Sequence, residues 1–338
     1  MPANRATPEG TARYRDRFAG RAAGDHFRQQ QGLVLSSIGI GTYLGNADEA
    51  TDRNYASAVV RAVQLGTNVI DSAANYRFQR SERSIGHALK QLTTEHGFAR
   101  EELVICTKGG YLPFDGSPPR NVREYFNETF VKPGIASFED VVAGSHCMTP
   151  AYLQSQVDQS LRNMELECVD VYYIHNPESQ LGHVSATEFY ARLKLAFERL
   201  EQNRKQGKLA HYGVATWNGF RVPAESRDHH SLVRMIELAR EAGGEDHGFR
   251  FIQLPFNLAM SEAITLANET LDGQRVTVVD AATRLGVTVV ASASLLQGRI
   301  EPRAAIQFVR SAPGITTALI GMSHVEHVEE NLGQDLQD

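Results

Sequence analysis

Cysteine is scarce in this 338-residue chain: there are three, Cys106, Cys147 and Cys168. An odd, small number excludes a disulfide framework as the source of stability, and a reducing, cytoplasmic setting is the expectation. Long apolar runs are missing too, both for a membrane span and for a signal peptide after Met1. Charge of one sign is also lacking, since 34 Lys and Arg stand against 40 Asp and Glu for a net charge of −6. The basic residues are scattered, so neither nucleic acid nor an anionic membrane is expected as a partner. His146 and Cys147 are adjacent and lack the spacing of a zinc site, so no metal is expected.

What is present is enough apolar material for a large core. With 42% hydrophobic residues, the chain fits a single α/β barrel of about 250 residues plus extensions. From Leu33 onward, short β-rich runs alternate with amphipathic stretches, the pattern of repeated βα units around a parallel sheet. Eight strands are expected, at Ser36 to Ile40, Asn68 to Asp71, Leu103 to Thr107, Val169 to Ile174, His211 to Val214, Phe251 to Leu254, Thr288 to Ala291 and Ala318 to Ile320. The expected fold is an eight-stranded parallel (β/α)8 TIM barrel over residues 32–338, preceded by a mobile polar arm at 1–31. Ser81 and Glu82 carry helix-start chemistry, and Thr149-Pro150 reads as an N-cap followed by a first-turn proline.

One connection is abnormally long. Residues 109–149 hold Gly, Pro, Phe and Tyr with weak periodicity, and loops of this length are usually functional or mobile. Loops that follow strand C-termini share one face of a parallel barrel, so this insertion is expected to form a wall of the substrate pocket. Its aromatic residues could equally pack the loop upon itself.

Four residues gather at that face. Asp71, Lys108 and His175 each end an apolar run, and Tyr76 lies five residues beyond Asp71 on the following loop. Each has a structural reading: Asp71 and Lys108 as a plain ion pair, His175 as a strand-end histidine. Tyr76 argues for more, because it adds a titratable hydroxyl. A free tyrosine titrates near 10, and a neighbouring ammonium favours its anion, so Lys108 is expected to lower the pKa of Tyr76. Asp71 would hold the lysine charged and oriented, while His175 could orient a carbonyl oxygen. Such a site donates a proton to oxygen without a metal or a covalent nucleophile, which suits carbonyl reduction by a hydride donor.

The runs Thr67-Asn68-Val69-Ile70-Asp71-Ser72-Ala73-Ala74-Asn75-Tyr76, Cys106-Thr107-Lys108, Asp170-Val171-Tyr172-Tyr173-Ile174-His175 and Tyr212-Gly213-Val214 resemble the aldo-keto reductases, from about Leu33 to Leu332. The resemblance implies an eight-stranded βα barrel that binds NADP(H) or NAD(H) without a Rossmann glycine motif, in agreement with the lack of a GxGxxG after the first strand. It implies Tyr76 as general acid, Lys108 as its tuner, Asp71 as the partner of the lysine and His175 beside the substrate oxygen. Thr42 and Tyr43 match positions beside the nicotinamide, and Gln253 matches a carboxamide-binding glutamine. Ala215 and Thr216 stand where the family usually has a Ser-Asn pair, and Ser292 where many members stack a tyrosine on the nicotinamide. Glu330 and Asn331 match adenine contacts. Where NADPH-selective members hold lysine or arginine around the 2′-phosphate, this chain has Gly321, Ser323, His324 and His327, so weak discrimination between the two cofactors is expected.

Asn176 and Trp217, with Tyr43, are candidates for the substrate pocket. The expected partner is a small-molecule carbonyl or alcohol substrate, and the sequence does not decide between a monomer and a homo-oligomer. A non-catalytic nicotinamide-binding regulatory subunit is the alternative function, since fold alone does not specify activity.

Overall fold

In the computed structural model, which describes residues 4–296 and 301–333, the β-rich runs become the staves of one closed barrel. Helix α1 (Pro8–Asp16) opens the described chain, and an antiparallel hairpin follows, β1 (Phe27–Gln30) with β2 (Leu33–Ser36). The first half of the barrel runs β3 (Ile38–Gly41), α2 (Glu49–Gln64), β4 (Val69–Asp71), α3 (Arg80–Thr94) and β5 (Val104–Gly109). The insertion with its short helix α4 (Val122–Phe126) comes next, then α5 (Pro150–Met164), β6 (Val169–His175), α6 (Ala186–Lys205), β7 (Leu209–Ala215), α7 (Leu232–Gly243) and β8 (Phe249–Pro255). The turn α8 (Glu262–Thr265) and a small hairpin, β9 (Glu269–Leu271) with β10 (Gln274–Val276), precede α9 (Val278–Arg284), β11 (Thr288–Ser292), α10 (Pro302–Ser311), β12 (Ile315–Gly321) and α11 (Val325–Leu332). Strands β3 to β8, β11 and β12 pair in parallel and close on themselves.

Alternation along each strand divides the apolar residues between two cores. Val69, Val104, Cys106, Val171, Tyr173, Phe251, Val290 and Leu319 fill the barrel interior. Their outward neighbours, such as Ile70, Ile105, Tyr172 and Ile174, join the layer beneath the helices. A period of two then places Asp71, Lys108 and His175 inward as well, one step above Val69, Cys106 and Tyr173. The ladder sets Asp71 opposite Cys106, Lys108 opposite Tyr173, His175 opposite Ala215 and Ala215 opposite Gln253. Strand register thus brings residues from distant parts of the sequence to one end of the barrel.

Several local expectations are corrected. The stretch read as a mobile arm at 1–31 contains α1 and β1, because Tyr14 and Phe18 are buried in the core and the Tyr14 hydroxyl donates to Val63 O at 2.6 Å. The boundary at 31 falls inside the β1–β2 turn. The run from Ser36 to Ile40 is split: Ser36 ends the hairpin, and β3 begins at Ile38. Helix α3 starts at Arg80, so Ser81 and Glu82 lie inside it rather than at its cap. Both side chains face the barrel instead, Ser81 donating to Thr42 O at 2.7 Å and Glu82 accepting from Thr107 Oγ1 at 2.6 Å and Asn163 Nδ2 at 2.7 Å. Thr149 occupies the cap position of α5 above a first-turn proline, but its side chain makes no capping bond and lies 3.5 Å from Cys147 Sγ.

The insertion is not structureless either. Besides α4 it holds a π-turn at Asn127–Val131 and a 3-10 turn at Phe138–Asp140, and Leu112, Phe126, Phe130, Ala136, Cys147 and Tyr152 make a small core of their own. Its aromatic residues mostly pack on each other, which weak periodicity could not reveal because the turns are too short to show one.

Candidate active site

At the C-terminal end of the barrel strands the sheet leaves a cavity of about 770 Å³, within the range of roughly 300–1,000 Å³ common for small-molecule and cofactor sites. Asp71 from β4 and Lys108 from β5 meet below it as a buried ion pair. The Lys108 ammonium also donates to Ser72 O at 2.7 Å and points at the Tyr76 hydroxyl 3.4 Å away. The second oxygen of Asp71 accepts from Gln253 Nε2 at 2.9 Å, which turns that amide nitrogen toward the ion pair.

Tyr76 owes its place to an unusual turn. The next three residues, Arg77, Phe78 and Gln79, are all left-handed, with φ of 49°, 58° and 71°. Non-glycine residues rarely adopt that region, and strain of about 1–3 kcal/mol each is the usual cost. The surrounding structure holds the turn: Arg77 Nε donates to Asn46 O at 2.7 Å and its guanidinium pairs with Asp52, while Gln79 binds Phe114 O at 3.1 Å and Asn163 Nδ2 at 3.1 Å. The Tyr76 ring then stands edge-to-face between Tyr43, with centroids 5.0 Å apart, and His175, 5.8 Å away.

Electrostatics sort the protonation states. Burial pushes the Lys108 pKa down, but the charges of Asp71 and Tyr76 outweigh it and the net direction is up, so the ammonium persists. Asp71 is pushed up by burial against the opposing pull of Lys108. For Tyr76 the expectation of a lowered pKa is corrected. Burial raises it, Asp71 adds to the rise, and the downward pull of Lys108 is the smaller effect. The hydroxyl therefore keeps its proton at neutral pH. His175 is held well below 6.5 by burial first, then by Lys108 and His146, so its imidazole is neutral. Its Nδ1 is buried without a hydrogen-bond partner.

Most residues singled out from the sequence reach this one cavity. Thr42, Tyr43, Asp71, Tyr76, His175, Asn176, Ala215, Thr216, Trp217, Gln253 and Ser292 line its floor and mouth, and Gly321, Ser323, His327, Glu330 and Asn331 line its far end. Lys108 sits behind Tyr76, and His324 packs on His327 with ring centroids 5.4 Å apart. Tyr43 and Trp217 are 57% and 41% exposed and follow β3 and β7, which stand four apart in a ring of eight strands. Two aromatic rings thus flank the mouth from opposite sides. None of the described residues lining the cavity is lysine or arginine.

Sequence reasoning missed several contributors. Asn75, Leu44, Ser294 and Leu295 also line the cavity; of the insertion's aromatic residues, weighed from the sequence as either pocket or loop packing, Tyr111 lines it, so the expected pocket wall at 109–149 narrows to that residue among those described. Glu178 holds the Trp217 loop: its Oε1 accepts from the backbone N–H groups of Trp217 at 2.6 Å, Asn218 at 2.9 Å and Gly219 at 3.4 Å. Position directly after Gly109-Gly110 was the available signal for Tyr111. Glu178 stands out in the sequence only as part of the Asn176-Pro177-Glu178 run after His175, which does not reveal that it anchors the Trp217 loop.

A sequence model described as the aldo/keto reductase family matches residues 37–229, more than half of the chain. An NADH-specific methylglyoxal reductase of Escherichia coli is 26% identical over 188 residues, 54% of this chain and 49% of that protein, so the chain spans about half the length of this curated relative. A putative voltage-gated potassium channel subunit beta of Schizosaccharomyces pombe is 22% identical over 339 residues, covering 90% of this chain and 86% of that one. Among solved structures, a glycerol dehydrogenase from Gluconobacter oxydans superposes with a TM-score of 0.61 at 17% identity, covering 90% of this chain and 89% of that one. An aldo/keto reductase from Klebsiella pneumoniae, solved with NADP and acetate, superposes with a TM-score of 0.58 at 17% identity over 92% of this chain and 89% of its own. With the matched span beginning one residue before β3 and carrying Asp71, Tyr76, Lys108 and His175, the chain belongs to the aldo/keto reductase family.

Proposed function

We propose that this protein is a nicotinamide-dependent oxidoreductase that reduces the carbonyl of an aldehyde, ketone or sugar to an alcohol, or catalyses the reverse oxidation. The observation that carries the reading is a Tyr76 hydroxyl 3.4 Å from a lysine ammonium pinned by a buried carboxylate, at the base of a cavity. Tyr76 donates its proton to the carbonyl oxygen as that oxygen gains negative charge, and Lys108 stabilises the tyrosinate left behind. Asp71 keeps Lys108 charged and aimed. Neutral His175, with Nδ1 unpartnered, carries its proton on Nε2 and donates it to the substrate oxygen as a hydrogen bond.

The residues present fit a dinucleotide. Thr216 and Ser294 line the cavity with buried hydroxyls that have no partner, an arrangement that calls for a polar ligand. Thr42, Tyr43, Ala215, Thr216, Gln253 and Ser292 would hold the nicotinamide end, and Gly321, Ser323, His327, Glu330 and Asn331 the adenosine end. When bound, the nicotinamide supplies or accepts the hydride. The described lining offers no permanent cation to a 2′-phosphate, which supports weak discrimination between NADPH and NADH.

The test is a cofactor-oxidation assay with wild type and Tyr76→Phe over a panel of aldehydes, ketones and sugars, with binding of both reduced cofactors measured in parallel. General acid catalysis contributes about 10²–10⁴-fold, so Tyr76→Phe is expected to lose about that much kcat while still binding cofactor. Undiminished turnover in Tyr76→Phe defeats the acid assignment. A hundredfold preference for NADPH defeats weak discrimination.

A regulatory subunit that binds nicotinamide without turnover is the second reading. It is favoured by the full-length similarity to the potassium channel subunit and by Ala215, Thr216 and Ser292 at the nicotinamide end. Tight cofactor binding without turnover across the panel would select it.

A further inference from the structure

The base of the insertion touches the backbone of His175 through a chain of hydrogen bonds whose direction is forced from both ends. The Arg192 guanidinium donates to Gln180 Oε1 at 2.8 Å, Gln180 Nε2 lies 2.9 Å from His146 Nδ1, and His146 Nε2 lies 2.8 Å from the carbonyl oxygen of His175. A guanidinium only donates and a carbonyl only accepts. Gln180 must therefore turn its oxygen to Arg192 and its amide to His146. His146 must in turn accept at Nδ1 and donate from Nε2, which makes it a neutral imidazole of one defined tautomer.

The same junction is closed by packing. Gly110, with φ of +139°, passes so close that a Cβ there would lie 2.9 Å from His146 Nε2 and 3.1 Å from His175 O. Cys147 N donates to Gly110 O and Leu112 N to Ser145 O, both at 2.8 Å, so the two ends of the insertion zip together where His146 enters. The Tyr111 ring is held edge-to-face between the rings of His146 and His175, with centroids 5.2 Å and 5.1 Å away. Its hydroxyl accepts from Asn176 Nδ2 at 3.1 Å and lies 3.2 Å from Ser179 Oγ. Asn176 itself is left-handed, with φ of 43°, directly after His175.

We infer that His146 is a positioning residue for His175: the insertion clamps the end of β6 through His146 and Tyr111, so that the imidazole meets the substrate oxygen at a fixed place. The inference rests on the functional reading above for its consequence in turnover. It does not rest on that reading for its geometry. His146 lies outside the cavity lining and acts through the carbonyl of His175, while Tyr111 packs on the His175 ring.

The test uses the full-length chain with His146→Leu, which removes the donor, and His146→Gln, which restores one at the place of Nε2. With NADH and the carbonyl compound that wild type reduces fastest, His146→Leu is expected to lose tenfold or more in kcat. KM for the carbonyl compound and the dissociation constant for NADH should stay within threefold. His146→Gln is expected within threefold of wild type in every parameter. Wild-type kcat in His146→Leu, or an equal loss in His146→Gln, overturns the assignment, since the donor would then be irrelevant.

Nitrogen-15 NMR of the wild-type histidines supplies a readout that needs no turnover. His146 is expected to show protonated Nε2 and unprotonated Nδ1 from pH 8 to pH 5. An Nδ1–H tautomer, or titration near 6.5, overturns the proposal. If wild type reduces no compound, the functional reading fails while this spectrum still decides the hydrogen-bond chain.

Discussion

Replacing Lys108 with methionine removes the one cation, among the described residues, that faces Asp71 at bonding distance and leaves the rest of that carboxylate's setting in place. Asp71 is 3% exposed, and without the ammonium the carboxylate's remaining hydrogen bond among the described residues is the one from Gln253 Nε2 at 2.9 Å. Breaking a buried pair by removing one member typically costs about 3–5 kcal/mol, because the other charge stays buried without compensation. Lys108→Met should lose that much stability in urea denaturation. Asp71→Asn should lose a similar amount, since it leaves the buried ammonium without its counter-charge, facing only neutral acceptors such as Ser72 O. The double variant Asp71→Asn/Lys108→Met removes both charges, so its loss should fall short of the sum by about 2–3 kcal/mol, within the range for residues in direct contact.

The pH dependence carries the sign. With Lys108 gone, burial is opposed at Asp71 chiefly by the Gln253 hydrogen bond, and it holds the folded-state pKa further above the unfolded value. The folded variant then binds a proton that the unfolded chain does not, and its stability rises as pH falls from neutrality toward the unfolded carboxylate range. The deficit of Lys108→Met relative to wild type should shrink on acidification. Additive losses, with a coupling below about 0.5 kcal/mol, would refute the buried ion pair, as would a deficit that grows toward acid.

Among the buried, neutral imidazoles, desolvation lowers the pKa to about 4 for His26, His146 and His247 and to about 3 for His230. The unfolded chain binds protons near 6.5 that the folded chain refuses, so stability should fall as pH drops from 6.5 toward 4, by up to about 3 kcal/mol per group; equal urea midpoints at pH 7 and pH 4.5 would contradict this. Gly110→Ala should destabilise by about 1–3 kcal/mol, because it combines positive φ with a Cβ pressed on His146 and His175. A urea midpoint unchanged from wild type would show that the junction yields easily.

The placement of the four polar residues was legible early because it depends on short stretches. Asp71, Lys108 and His175 close runs whose β-rich character survives in the barrel, and period-two alternation along those runs determines that all three face inward. The split at Ser37, the start of α3 at Arg80 and the order in residues 8–30 were not legible, since each depends on contacts with distant partners. Tyr14 is buried because Val63 and the core stand beside it, and Ser81 avoids the cap because Thr42 O offers a better partner.

What the sequence determined by itself was the existence and facing of the strands, and with them the gathering of Asp71, Tyr76, Lys108 and His175 at one end of a barrel. Local patterning encodes those features. Tertiary structure alone decided the direction in which the Tyr76 pKa is pushed, the anchoring of Trp217 by Glu178 and the meeting of His146 with His175. Desolvation depends on everything packed around a group, and residues 29 to 41 positions apart become hydrogen-bonded neighbours only when the barrel closes.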